Sequence, residues 1–298
     1  MTTPDAIPYE DYGGEGPVLH FAHANGYPPG AYRAILEELS KKHHVVAMRM
    51  RPLWPQAQAL AFSDWRPLAD DLSRFLDQLD ASRAFPGARH APLPARVIGW
   101  GHSMGATTTL RLALRQPERF RALVLIDPVF FPPRMIFFWD LIYRLGLGYR
   151  LHPLVKRALK RRNRFESREA MYANYRRKAV FRRMSEAALQ DYVQALGCPR
   201  PDGSVELCYP AEWEARIYVT GVRADFELWR ALPSLKPPLL VLRGADTDTF
   251  WERTGQLVQR WLPSARVHTV ADSSHLVPLE RPAAVLQAAK ECGFLETG

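Results

Sequence analysis

One stretch, Val97-Ile98-Gly99-Trp100-Gly101-His102-Ser103-Met104-Gly105-Ala106, constrains this chain more than any other. An apolar run ends at Gly101, a serine follows two positions on, and Gly105 completes a G-x-S-x-G pattern before a helix-forming segment. A strand, a sharp turn and a helix in that order put the serine hydroxyl on exposed, strained backbone. Both glycines are needed there, because a side chain at Gly101 or Gly105 would collide with neighbouring backbone. The first helical turn then aims its unpaired N–H groups and positive dipole end at the serine. Met104 is positioned to give one backbone N–H to an oxyanion. An ordinary glycine-rich strand–helix turn has the same local pattern, so the rest of the chain must supply the partners of a reactive serine.

On either side of this turn, short apolar runs alternate with helical periodicity. Val18–Ala22, Val45–Met48, Arg96–Trp100 and Ala122–Ile126 read as strands, and Ile7–Tyr12 alternates weakly. Between them, Gly30–Lys42 has helical apolar spacing at Ile35, Leu36 and Leu39. Ser63-Asp64 is a plausible N-cap for an amphipathic helix to Leu79, and Ala106–Arg115 continues from the serine turn. Ala84–Ala95, with three prolines and a glycine, reads as a surface loop. Alternation of this kind predicts an α/β fold, a mostly parallel central sheet with helices on both faces. At Asp127-Pro128 the pattern breaks. It resumes with the strand Leu239–Leu242, the helix Phe250–Leu262, the strand Ala265–Val270 and the helix Pro282–Cys292. The expected organisation is a core of residues 1–128 and 236–298, interrupted by a mainly helical cap insertion, residues 129–235.

The 298 residues carry a net charge of +9, and the excess is local. Residues 144–183 hold 14 Lys/Arg against Glu166 and Glu169, a local excess of twelve, so the remainder is slightly acidic. A solvated helix face is the favoured reading of that segment. Peripheral contact with an anionic membrane surface is the less favoured one, and no nucleic acid is expected. Phe130–Leu151 is long enough to span a bilayer but carries Arg134, Asp140 and Arg144, which argues against a span. Met1–Tyr9 lacks an apolar signal region. Cys198 and Cys208 flank a hairpin turn and could meet, yet with Cys292 they make an odd set, so free thiols and a cytoplasmic setting are expected.

A serine hydroxyl becomes a nucleophile only when a base takes its proton, and an acceptor must hold that base in the right tautomer. Two loops after late strands offer these groups: Arg243-Gly244-Ala245-Asp246-Thr247-Asp248, and Asp272-Ser273-Ser274-His275 running into Pro278-Leu279-Glu280-Arg281-Pro282. With the serine turn, they resemble the α/β-hydrolase fold superfamily, in serine-nucleophile esterase- or lipase-like form with a helical cap. The resemblance implies Ser103 as nucleophile and His275 as general base. It favours Asp248 as the acid, with Asp246 second and Asp127 third. It also implies a second oxyanion donor from His23-Ala24-Asn25-Gly26-Tyr27-Pro28, where alignment on His23 selects the Asn25 amide beside Met104, with the Asn25 side chain as a further contributor. His23 and His102 are read as structural. No cofactor is expected, and no metal, because the sequence sets no carboxylate or cysteine in metal-ligand spacing with His20, His43 and His44.

The implied activity is hydrolysis of a carboxylic ester through an acyl-enzyme, on a small apolar or acyl-chain substrate. Serine at position 103 argues against relatives that use aspartate there to open epoxides or remove halide. Hydrolysis of a carbon–carbon bond in a diketone acid is an alternative. A catalytically silent binding module is another, although its mark would be a lost serine, histidine or acid.

Overall fold

The computed structural model describes residues 4, 6–55, 57–82 and 96–295. The stretch Ala84–Ala95, expected as a loop, and the first residues of Met1–Tyr9 lie outside them. The predicted apolar runs form one sheet from β1 (Tyr9–Gly13), β2 (Val18–Ala22), β3 (His44–Met48), β4 (Val97–His102) and β5 (Phe120–Ile126). After a small separate sheet of β6 (Arg164–Phe165), β7 (Gly197–Pro199) and β8 (Val205–Leu207), β9 (Leu239–Gly244) and β10 (Arg266–Val270) complete the large one. Its order is β1-β3-β2-β4-β5-β9-β10, parallel throughout except for the antiparallel edge strand β1. The inner strands β3 and β9 are buried along their whole length, as continuous apolar runs in a covered parallel sheet must be, while edge strand β10 is mostly half-exposed or exposed.

Helices α1 (Arg33–Ser40), α2 (Arg66–Ser82) and α3 (Met104–Arg115) follow β2, β3 and β4. Helix α2 buries Leu68, Leu72, Phe75, Leu76 and Leu79 on one stripe. The Asp64 carboxylate accepts the Arg66 N–H at 2.9 Å, which satisfies a donor at the helix start.

Residues between β5 and β9 form α4 (Pro133–Arg144), α5 (Gly148–Leu151), α6 (Pro153–Leu159), α7 (Arg168–Arg176), α8 (Glu186–Leu196), α9 (Ala211–Thr220) and α10 (Phe226–Ala231). After β9 come α11 (Glu252–Trp261), α12 (Val277–Glu280) and α13 (Pro282–Glu291). The inserted segment touches loops that leave the C-terminal ends of β2 and β3. Trp65 Nε1 donates to Ile217 O at 3.2 Å, Trp213 Nε1 donates to Ala57 O at 3.3 Å, and the rings of Tyr27 and Tyr192 lie 5.0 Å apart.

The expectation of free thiols at Cys198 and Cys208 does not hold. Cys198 and Cys208 are joined in a disulfide across the β7–β8 hairpin, with Cα atoms 5.3 Å apart, and Cys292 is the free thiol. Antiparallel pairing of Cys198 with Glu206 brings Cys208 to the hairpin's open end, a closeness that spacing alone did not decide. With these sulfurs bonded, thiol usage no longer speaks for a reducing compartment.

A buried ion pair clamps the insert to the core. Arg111 of α3 donates to Asp225 at 2.6 Å, both almost without solvent exposure, and reaches Glu227 at 3.3 Å. Burial pushes the Asp225 carboxyl up, to about 7, against the opposing pull of Arg111. Removing one member strands a buried charge. Asp225→Ala is therefore expected to lower unfolding free energy by about 3 kcal/mol, read as a lower denaturant midpoint at unchanged slope.

Candidate active site

Strand β4 and helix α3 meet at Ser103, whose backbone is left-handed at φ 54°, ψ −119°. A non-glycine residue held there costs about 1–3 kcal/mol, and the surrounding packing must maintain it. Both glycines of the motif are there for space. A Cβ on Gly101 would lie 2.7 Å from the Ala106 nitrogen, and one on Gly105 would lie 2.1 Å from the carbonyl oxygen of Ala22. Close approach of Gly105 to β2 also sets the His23–Tyr27 turn beside the start of α3.

Parallel pairing places the next group. His102 lies opposite Ile126, and the Ser103 N–H donates to Ile126 O at 3.0 Å. One residue further, Asp127 leaves β5 beside Ser103, itself left-handed at φ 41° and fully buried. Its carboxylate accepts from the Gly244 N–H at 2.8 Å, the Thr247 hydroxyl at 2.6 Å and His275 Nδ1 at 3.0 Å. The other ring nitrogen, His275 Nε2, lies 2.9 Å from Ser103 Oγ. Serine hydroxyl, imidazole and carboxylate thus form one hydrogen-bonded line, from the ends of β4 and β5 to the loop that follows β10.

That line corrects the order of the aspartates. Asp248 is exposed, and its carboxylate accepts from the Thr249 hydroxyl at 3.1 Å. Asp246 is exposed and pairs with Arg183 at 2.6 Å. Neither is among the partners of His275, because the turn after β9 directs Thr247, not its aspartates, inward to Asp127. The missed signal was topological: β5 lies directly beside the serine strand, between β4 and β9.

The His275 loop is held from both ends. Buried Glu280 accepts the Ser274 N–H at 2.6 Å and its hydroxyl at 2.7 Å, which gives the Pro278–Pro282 segment a physical purpose. Behind the loop, the His102 ring faces the His275 carbonyl at 2.8 Å through Nε2 and the Tyr32 hydroxyl at 2.8 Å through Nδ1. A carbonyl only accepts, so Nε2 carries the proton, Nδ1 accepts from Tyr32, and the Tyr32 oxygen accepts the Ala24 N–H at 3.2 Å. Each role suits a neutral ring, and burial holds the His102 pKa well below its usual value. His102 thereby links the serine turn, the His275 loop and the turn after β2. His23 likewise accepts the Met50 N–H at 3.1 Å through Nε2, while Nδ1 donates to Ala24 O at 2.9 Å, and burial lowers its pKa to about 4.

Tyr27 N–H donates to Ala24 O at 3.2 Å and closes a turn with Asn25 and Gly26 at its centre, Gly26 at φ 79° as a type II turn requires. The bond closing this turn does not use the Asn25 amide. The Asn25 side chain is committed elsewhere: Nδ2 donates to Glu214 O at 3.1 Å, and Oδ1 accepts from the Tyr209 hydroxyl at 2.9 Å. This overturns the expectation that the side chain contributes to an oxyanion site. Next to the turn, Arg161 pairs with Glu214 at 2.7 Å and donates to Tyr209 O at 3.1 Å. Burial raises the Glu214 pKa, and Arg161 opposes that rise.

Comparison with known proteins gives a consistent picture. Residues 21–288 match the family described as the alpha/beta hydrolase family. Esterase YbfF of Escherichia coli K12 is 23% identical over 256 residues, covering 85% of this chain and 84% of the relative. Among solved structures, E-2-(acetamidomethylene)succinate hydrolase superposes with a TM-score of 0.73 at 19% identity, covering 96% of this chain and 94% of that one. An esterase of M. tuberculosis gives 0.71 at 20% identity, covering 99% and 91%.

Proposed function

This chain belongs to the alpha/beta hydrolase family, and from that premise we propose that it is a serine hydrolase that cleaves a carboxylic ester on an apolar or acyl-chain substrate. The observation that carries the reading is the line from Ser103 Oγ through His275 to the buried Asp127. Ser103 Oγ attacks the ester carbonyl while His275 Nε2 takes its proton. The carbonyl oxygen becomes an oxyanion held by the backbone N–H groups of Asn25 and Met104. The C–O bond to the leaving alcohol breaks as His275 returns the proton to that oxygen. Water, activated by the same imidazole, then releases the acid and restores Ser103. Asp127 accepts from Nδ1–H, which fixes the tautomer and steadies the imidazolium.

Residues 129–235 act as the cap in this reading. Aromatic rings follow directly on Asp127: Phe130 is buried against Trp229 at 4.3 Å, and half-buried Phe131 lies 5.7 Å from half-buried Trp251, surroundings that suit an apolar acyl group. The arginine beside the Asn25 turn is already paired with Glu214, which favours a neutral ester over a diketone acid. The similarity to an E. coli esterase supports the same choice.

A fluorophosphonate probe tests the proposal. Stoichiometric labelling of Ser103 that disappears in His275→Ala is expected, since only an activated serine reacts. Folded protein that stays unlabelled would point to a silent binding module instead. Esters of graded chain length then rank the acyl preference.

A further inference from the structure

The insert turns an apolar face outward. In α4, Phe137, Phe138 and Leu141 are exposed, and Leu145 continues the stripe just past the helix. Their spacing of three and four residues puts them on one side. The opposite side, with Ile136 and Ile142, faces the protein, where Trp139 meets His152 and Tyr143 receives the Arg223 guanidinium. Phe137 is 65% exposed, Phe138 53% and Leu145 63%. The following helices continue the pattern with exposed Tyr149, Leu151, Leu154 and Leu159, while Val155 and Ala158 pack against Ala215 and Val219 of α9. Isolated exposed apolar residues need no explanation, but a series of them along three successive helices does.

The same segment carries the cations. Arg134, Arg144, Arg150, Lys156, Arg157 and Lys160 are all exposed, and within residues 133–160 the sole acid is Asp140. Asp140 is engaged by Arg144 at 2.7 Å and Arg223 at 3.7 Å. Among the described residues no helix is long and apolar enough to cross a membrane. Aromatic and leucine side chains flanked by Lys and Arg form the composition of a segment that lies in a lipid interface. A second copy of this chain on the same patch would bring six cations against six, so self-association is disfavoured by charge. An anionic bilayer supplies both an apolar layer for the rings and negative headgroups for the cations of the same segment.

We propose that the face formed by α4, α5 and α6 docks this protein on anionic lipid surfaces, with Phe137, Phe138, Leu141 and Leu145 entering the headgroup–acyl boundary. This is independent of the reaction proposed above, and its test does not use turnover as the readout of docking.

Co-sedimentation with vesicles of equimolar phosphatidylcholine and phosphatidylglycerol, against phosphatidylcholine alone, is the experiment. The full chain is expected to partition onto the anionic vesicles and to be released as salt rises. Phe137→Ser/Phe138→Ser/Leu141→Ser should reduce partitioning at least about tenfold, because the apolar entry is gone. Arg134→Gln/Arg150→Gln/Lys156→Gln should reduce it on the order of a hundredfold, at about 1 kcal/mol per cation near the surface. Elution volume and hydrolysis of a short soluble ester should be unchanged in both variants, since none of these residues touches the serine–histidine line. Wild-type protein that stays in the supernatant overturns the proposal. So does equal binding to both vesicle types, or binding that survives the triple serine change. A concentration-dependent dimer lost in that variant would assign the face to a second copy instead.

Discussion

Ser103→Ala is expected to lower kcat for ester hydrolysis by about six orders of magnitude, with circular dichroism and melting behaviour close to wild type. The methyl group keeps the Cβ that the left-handed backbone at this position already accommodates, so the fold has no new strain to absorb. The lost group is the oxygen that sits 2.9 Å from His275 Nε2. Acceleration over water on the order of a thousandfold should persist if the Met104 and Asn25 amides bind the oxyanion, because those donors act without the nucleophile. A variant that keeps more than a few per cent of wild-type kcat would mean that another group attacks the substrate. The measurement is single-turnover and steady-state kinetics on one ester, with labelled contaminating hydrolases removed.

Asp127→Asn should cost about four orders of magnitude in kcat, and Asp248→Asn and Asp246→Asn should each stay within a few-fold of wild type. The physical difference is burial and direction. Asp127 is fully buried and meets His275 Nδ1, the Gly244 N–H and the Thr247 hydroxyl, three donors on one carboxylate. An asparagine there keeps the shape but offers an NH2 group to one of three donors. Where that group meets Nδ1, the ring keeps its proton on Nε2, the wrong nitrogen for accepting one from serine. Asp248 and Asp246 are solvated, and their contacts with Thr249 and Arg183 lie at the surface. Comparing the pH–rate profiles of all three variants checks the assignment. A crippled Asp248→Asn beside an active Asp127→Asn would reverse it.

Local chemistry was enough to read the strands of the large sheet and the serine turn, and to single out Ser103 and His275, which the structure places 2.9 Å apart. Strands such as Val45–Met48 and Leu239–Leu242 are continuous apolar runs because a sheet covered on both faces leaves them no polar side. Gly101 and Gly105 flank Ser103 because a Cβ at either position meets backbone within 3 Å. Such requirements are imposed by near neighbours in the chain or by burial alone, so they leave a mark in the residues themselves. The carboxylate that meets His275, the disulfide and the outward apolar stripe are of another kind. Asp127 and Asp248 both follow a buried strand, and spacing from a glycine says nothing of which carboxylate turns inward. That was decided by the sheet order, which puts β5 next to β4 and lets Asp127 leave its strand one residue past the pairing of Ile126 with His102. Cys198 and Cys208 meet because β7 and β8 pair antiparallel. The Asn25 side chain is occupied because α9 brings the Glu214 carbonyl to it across the insert. Helical periodicity in residues 133–145 marks a face but not its partner. Packing of Ile136 and Ile142 inward left Phe137, Phe138, Leu141 and Leu145 outside. Contacts between segments far apart in the chain depend on how the segments are arranged, and only the tertiary structure carries that arrangement.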